Sequence, residues 1–181
     1  DSVYDEDAKT CNNEIFSLGV PVLGICYGMQ YMAKVFGGKI VPSDVKEYGR
    51  TALTFDPHPL FAGVKKNTVW MSHNDNVIKV PEGFHTIAST DNCPVAAFAD
   101  DKRKFYGLQF HVEAAHTEEG PLVIDNFVKK ICECQGSWQT KTIAENLISA
   151  VHARVGQGKV LGALSGGVDS SVAAVLVHKA I

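Results

Sequence analysis

Three short stretches carry residue types and spacings that could do chemistry. The first is "GICYGMQ", Gly24 to Gln30, in which Cys26 stands between glycines two positions away on either side. An apolar run precedes it and a helical pattern follows. Small residues at those positions permit a strained strand-to-helix turn that lifts a nucleophile out of a sheet. A helix N-terminus beside the sulfur is expected to favour the thiolate and lower the thiol pKa. The backbone N–H of Tyr27 would face an oxyanion forming on an attacked carbonyl. The competing reading is a buried core cysteine between glycines.

A nucleophile needs a base, and "FHVE", Phe110 to Glu113, supplies one. In an extended segment residues two apart share a face, so His111 and Glu113 are expected to point the same way. Glu113 would then fix the tautomer of His111, and His111 would take the proton from Cys26. His-x-Glu alone is more often a surface strand pair, and it gains force from the cysteine elbow upstream. The third stretch is "LSGGVDSS", Leu164 to Ser171, with two glycines and three hydroxyls before a helical pattern. It is no Walker A loop, because no Gly-Lys-Ser/Thr closes it. The competing reading there is a Gly-Ser helix cap.

These residues must be positioned by alternating strands and helices. "VPVLGIC" reads as a buried strand, and Met29, Met32, Ala33 and Phe36 recur at helical spacing until Gly37-Gly38 stops the helix. Between Lys39 and Phe110, "ALTF", "NTVWMS", "HTIAST", "PVAAFA" and "KFYGLQFHVE" are strand-like segments separated by Asp, Pro, Gly and Asn turns. A helix is expected over 120–134, another over Lys141 to Val155, a strand at "KVLGAL", and a last helix from Ser170 to Ile181. The boundary falls near Cys132 to Ser137, giving a first domain over 1–132 and a second over 133–181.

Composition excludes several classes. With a net charge of −3 and scattered Lys and Arg, the chain offers no basic arm for nucleic acid. No apolar run reaches the roughly 18 residues that span a bilayer. The acidic start "DSVYDEDAKT" is no secretory signal. Five cysteines, with no C-x-x-C, favour reduced thiols in the cytosol, and Cys132-x-Cys134 lacks the second pair a metal site would need. A structural role outranks a catalytic one for His73, and Trp70 and Trp138 read as core or interface anchors.

Taken together, "GICYGMQ" and "GLQFHVE" resemble the class I, or triad-type, glutamine amidotransferases, and the resemblance covers nearly the whole chain. It implies an α/β fold with an open sheet, here lacking its N-terminal portion. It implies that Cys26 attacks glutamine to form a thioester, that His111 is general base and acid, and that Glu113 orients it. Gln30 and the Tyr27 amide would help to hold glutamine. "WMSHNDNV", Trp70 to Val77, resembles the members that aminate a purine nucleotide. One departure is Val112, where the family pattern has Pro.

"SGGVDSS" resembles the PP-loop of N-type ATP pyrophosphatases, whose successive N–H groups and helix N-terminus receive phosphate. The resemblance implies ATP binding by Ser165, Gly166, Gly167, Val168, Asp169, Ser170 and Ser171, with Asp169 near Mg2+. It implies the first strand, loop and helix of a Rossmann-like ATP pyrophosphatase domain. A glutaminase joined to such a domain implies that ammonia aminates adenylylated XMP to GMP, releasing AMP and pyrophosphate, in a protein that is a cytosolic homodimer. The alternatives are another triad-type amidotransferase, such as those of carbamoyl phosphate or CTP synthesis, or an inactive amidotransferase-like module. Only 25 residues precede Cys26, so the chain is expected to be a fragment that completes neither site.

Overall fold

The computed structural model describes residues 2–136 and 140–181, which places Trp138 and Ser137 outside the described residues. Two compact units emerge, Asp1–Cys134 and Gln135–Ile181.

In the first unit the apolar run before Cys26 forms β1 (Val22–Ile25), followed at once by α1 (Tyr27–Val35). Two long strands come next in the chain, β2 (Lys39–Ala52) and β4 (Thr68–Lys79), paired antiparallel in a sheet of their own. Between them lies the two-residue β3 (Thr54–Phe55). Then come β5 (His85–Ser89), β6 (Ala97–Asp100) and β7 (Phe105–Leu108). The main sheet has the order β1-β7-β6-β5-β3. β1 and β7 run parallel, and every other pairing in this sheet is antiparallel. All four residues of β6 and all four of β7 are buried, as a central strand covered on both faces must be.

Two apolar clusters enclose the sheet. One holds Met29, Met32, Phe98 and Phe105 beneath α1. The other holds Leu60, Met71, Leu108, Phe110 and Val112 on the opposite side. Gly107 in β7 leaves room for the first of these: an added Cβ there would stand 2.6 Å from the Phe98 ring and 2.7 Å from Met29. Arg103 closes one edge by lying over the rings of Phe36, Phe84 and Phe105.

Several expectations need correction. "KFYGLQFHVE" is a strand only as far as Leu108, and 112–113 form a turn. The helix expected over 120–134 is α-helical only as α2 (Gly120–Asp125) and continues as a π-helical segment, Asn126–Ile131. There Asn126, fully buried, donates from Nδ2 to the carbonyls of Leu60 and Ala62.

In the second unit α3 (Thr140–Val155) and α4 (Val168–Ala180) are present. His152 Nδ1 lies 2.7 Å from the Ala180 carbonyl and ties one to the other. "KVLGAL" forms no strand, and Leu161 and Leu164 are exposed. A buried parallel strand exists only through hydrogen bonds to neighbours, and the described residues of this unit offer none.

Phe98 is fully buried between α1 and the sheet. Phe98→Ala is expected to cost roughly 3–5 kcal/mol, read as a lower denaturant midpoint with an unchanged slope.

Candidate active site

The elbow forms as the spacing requires. Cys26 follows β1 directly with φ 49° and ψ −106°, a conformation non-glycine residues rarely adopt. Its N–H donates to the Leu108 carbonyl at 2.7 Å, and its carbonyl accepts from Gln30 N–H. The two flanking glycines do different work. An added Cβ at Gly24 would stand 2.7 Å from the Gly28 backbone, whereas one at Gly28 would meet open space. Only Gly24 is sterically obligatory, because the first turn of α1 passes directly over β1.

The sulfur sits in a cleft of about 220 Å³ lined by Cys26, Tyr27, Gln30, Tyr48, Ser72, His73, Asn74 and Asp75. Four of those residues belong to β4, so one wall is the two-stranded sheet. The thiol donates to the Ser72 carbonyl at 3.7 Å, and Gln109 Nε2 donates to Sγ at 3.6 Å. Tyr27 is held by its hydroxyl, which donates to the Lys9 carbonyl at 2.9 Å. Gln30 is buried, and its Nε2 donates to the Asp75 carbonyl and to Gln109 Oε1 at 3.0 and 3.1 Å. Its amide donors are therefore committed inside the protein, although the residue lines the cleft.

The expected lowering of the Cys26 thiol pKa is also overturned. Burial raises it, the Tyr27 N–H lowers it, the Glu113 charge raises it and the Gln109 hydrogen bond lowers it, with a net rise. Desolvation outweighs the Tyr27 and Gln109 hydrogen bonds.

His111 and Glu113 do meet, with Nδ1 and Oε1 2.7 Å apart. They meet across a turn rather than along a strand. His111 is anchored from both sides: its N–H donates to the Trp70 carbonyl at 2.9 Å, and its carbonyl accepts from Thr117 Oγ1 at 2.7 Å. Burial acts to raise the Glu113 carboxyl, but the hydrogen bond from His111 and a backbone N–H prevail and hold it below its ordinary value. Among the described residues, the hydrogen bonds of Cys26 Sγ go to Ser72 and Gln109 rather than to His111. Val112 is 1% exposed, and its carbonyl lies where a Cβ on Gly120 would fall, so this residue serves the core.

His73 is buried with Nδ1 3.2 Å from the Asp75 carbonyl and Nε2 3.3 Å from Glu47 Oε2. Both nitrogens face acceptors, so the buried pair holds a proton between Nε2 and Oε2. Burial lowers the His73 pKa. This arrangement supports the β2–β4 wall, as a structural histidine would.

Sequence reasoning missed Gln109, Ser72, Asp75 and Tyr48, whose hydroxyl donates to Asn74 Oδ1 at 2.6 Å. Gln109 was within reach, since it lies two residues before His111 and one past the end of β7.

The profile of the family described as glutamine amidotransferase class-I matches residues 1–131, most of the chain. The chain belongs to the class-I glutamine amidotransferase family. A glutamine-hydrolysing GMP synthase of Acetivibrio thermocellus is 50% identical over 99% of this chain, which covers 36% of that protein. One of Staphylococcus aureus is 50% identical over 99% of this chain and 35% of its own length. The chain thus spans about a third of these curated relatives. A crystal structure from Thermoplasma acidophilum, described as a candidate GMP synthase component, superposes with a TM-score of 0.62 at 36% identity, covering 66% of this chain and 60% of that one. A Thermotoga maritima glutamine amidotransferase gives 0.52 at 27% identity, covering 65% and 53%. Membership in this family makes glutamine a substrate of the domain. Among the described residues, no helix is long and apolar enough to cross a membrane.

In the other unit, Ser165 to Gly167 lead into α4, with Gly166 at φ +82° and open space around it. Gly167 caps α4. The Ser170 and Ser171 hydroxyls donate to the Gly167 carbonyl at 3.0 and 2.9 Å. Ser165 Oγ donates to Ser170 Oγ at 3.0 Å. The Gly167 N–H donates to Ser165 Oγ at 3.4 Å.

Two substitutions test the elbow. Gly24→Ala is expected to destabilise the domain by about 1–3 kcal/mol, while Gly28→Ala leaves the denaturant midpoint within experimental scatter. The raised thiol pKa sets a pH dependence. At pH 7 iodoacetamide should label Cys26 more slowly than the exposed Cys11, and the rate should climb with pH through and above the ordinary thiol range.

Proposed function

We propose that the first unit hydrolyses glutamine through Cys26, His111 and Glu113. His111 takes the proton of Cys26 as Sγ attacks the side-chain amide carbon, passes it to the departing ammonia, and then takes a proton from the water that cleaves the thioester and returns it to Sγ. The Tyr27 N–H stabilises the oxyanion in both halves. The observation that carries this reading is the strained Cys26 at a helix start, together with a His111–Glu113 pair anchored close enough for the Glu113 charge to act on the thiol.

We further propose that the ammonia serves ATP-dependent amination of XMP to GMP through adenylyl-XMP, in the longer protein of which this chain is a part. Support comes from relatives named for that activity, whose similarity runs through 99% of this chain and so past residue 131 into the loop over 165–171. On this reading 1–132 is the amidotransferase portion and 133–181 begins the ATP pyrophosphatase portion. Ser165, Gly166, Gly167, Val168, Ser170 and Ser171 would hold the phosphates of ATP. Asp169, in the first turn of α4, would face Mg2+, which supplies charge neutralisation at the departing pyrophosphate. The full-length protein acts as a cytosolic homodimer in this reading.

Ammonia release from glutamine decides between a glutaminase and an inactive module. Release is expected from the full-length protein, to vanish in Cys26→Ser, and to fall by roughly 10²–10⁴ in His111→Ala. Release that survives Cys26→Ser would overturn the proposal. Stimulation by ATP with XMP, absent with other acceptors, tests the second half.

A further inference from the structure

Gln109 is completely buried, yet its side-chain amide donates to the sulfur of Cys26. Its orientation is dictated from a distance. The Asp75 carbonyl can only accept, so the Gln30 amide must present Nε2 to it. That same Nε2 also donates to Gln109, which must therefore turn Oε1 towards Gln30. Gln109 is left with Nε2 facing Sγ. Flipping either amide would set donor against donor or acceptor against acceptor between two buried side chains. The result is a directional relay of hydrogen bonds, running from a fixed backbone carbonyl through two buried amides to the nucleophile. Its polarity admits one arrangement.

The end of this relay is placed by the sheet. β1 and β7 are parallel, with Ile25 opposite Leu108, so Cys26 and Gln109 are the next residues on adjacent strands. The Gln109 backbone N–H donates to the Ala96 carbonyl at 2.8 Å, which holds the residue at the end of its strand.

We infer that Gln109 is a further catalytic residue, a fixed donor to the Cys26 thiolate, and that Gln30 is the positioning residue that aims it. This rests on Cys26 being the nucleophile. A resting thiol donates to the Ser72 carbonyl, and ionisation turns that contact from attractive to repulsive. The Gln109 N–H is the side-chain partner whose interaction strengthens when the proton leaves, because donors bond anions more strongly than neutral sulfur. It makes the thiolate accessible despite burial.

The test is the pH dependence of Cys26 alkylation by iodoacetamide in the full 181-residue chain, read on the Cys26 peptide by mass spectrometry with Cys26→Ser as blank. Gln109→Met keeps length and removes the donor. It is expected to raise the alkylation midpoint by roughly one unit, about a tenfold slower reaction near neutral pH. Gln30→Met, which leaves Gln109 in place, is expected to shift it in the same direction by less. A folded Gln109→Met with the parental midpoint overturns the inference. Should that variant not fold, Gln30→Met decides, and a parental midpoint there overturns it equally. A purely structural role would lower the melting temperature and leave the midpoint alone. Thiol titration needs no turnover, so absence of glutaminase activity would sink the proposed function without deciding this point.

Discussion

The parallel pairing of β1 with β7 is the constraint on which the site depends. Both strands run in the same direction and stop at the same level, so both deliver their next residues to one edge of the sheet. β1 hands over Cys26 and β7 hands over Gln109, with His111 and Glu113 in the turn beyond. Carboxyl ends of neighbouring parallel strands are where open α/β sheets gather ligands. The rest of the sheet is antiparallel and contributes burial, not function. It pairs the other edge of β7 and supplies Phe98, which with Met29 of α1 fills the space left by Gly107.

A second theme is the competition at the sulfur. Burial opposes ionisation and dominates, and the Glu113 charge adds to it. The Tyr27 N–H and the Gln109 amide work the other way. The site is thus a compromise between a dry environment, which sharpens every electrostatic contact, and enough donors to let charge appear there. The Ser72 carbonyl belongs to the separate β2–β4 sheet, so the wall that accepts the thiol hydrogen bond is carried by a different element from the one that carries the nucleophile.

How much of this was legible in the sequence depended on the range of the forces involved. The elbow was legible, because glycine spacing, an apolar run and helical periodicity are all local. The meeting of His111 with Glu113 was foreseen on a wrong geometry. A strand places them side by side, but here a turn does so, and its anchor is the Trp70 carbonyl on a distant strand. The pKa direction at Cys26 was not legible, since desolvation depends on what packs around it. Nor was the fate of "KVLGAL", whose composition suits a strand but whose pairing needs partners. The position of Gln109 was within reach, but its role was not, because that comes from a register across the sheet and from two amides whose meaning lies in their order.

The Ser72–Cys26 contact has a bearing on durability. Thiolates attack peroxide and disulfides far faster than thiols do, so a sulfur that keeps its proton and donates it to a backbone carbonyl ages slowly in an oxidising medium. The cleft leaves that sulfur reachable by a small amide, and therefore by small oxidants too. Holding the proton until a carbonyl carbon arrives gives the chain a nucleophile that is open to substrate and chemically quiet in its absence.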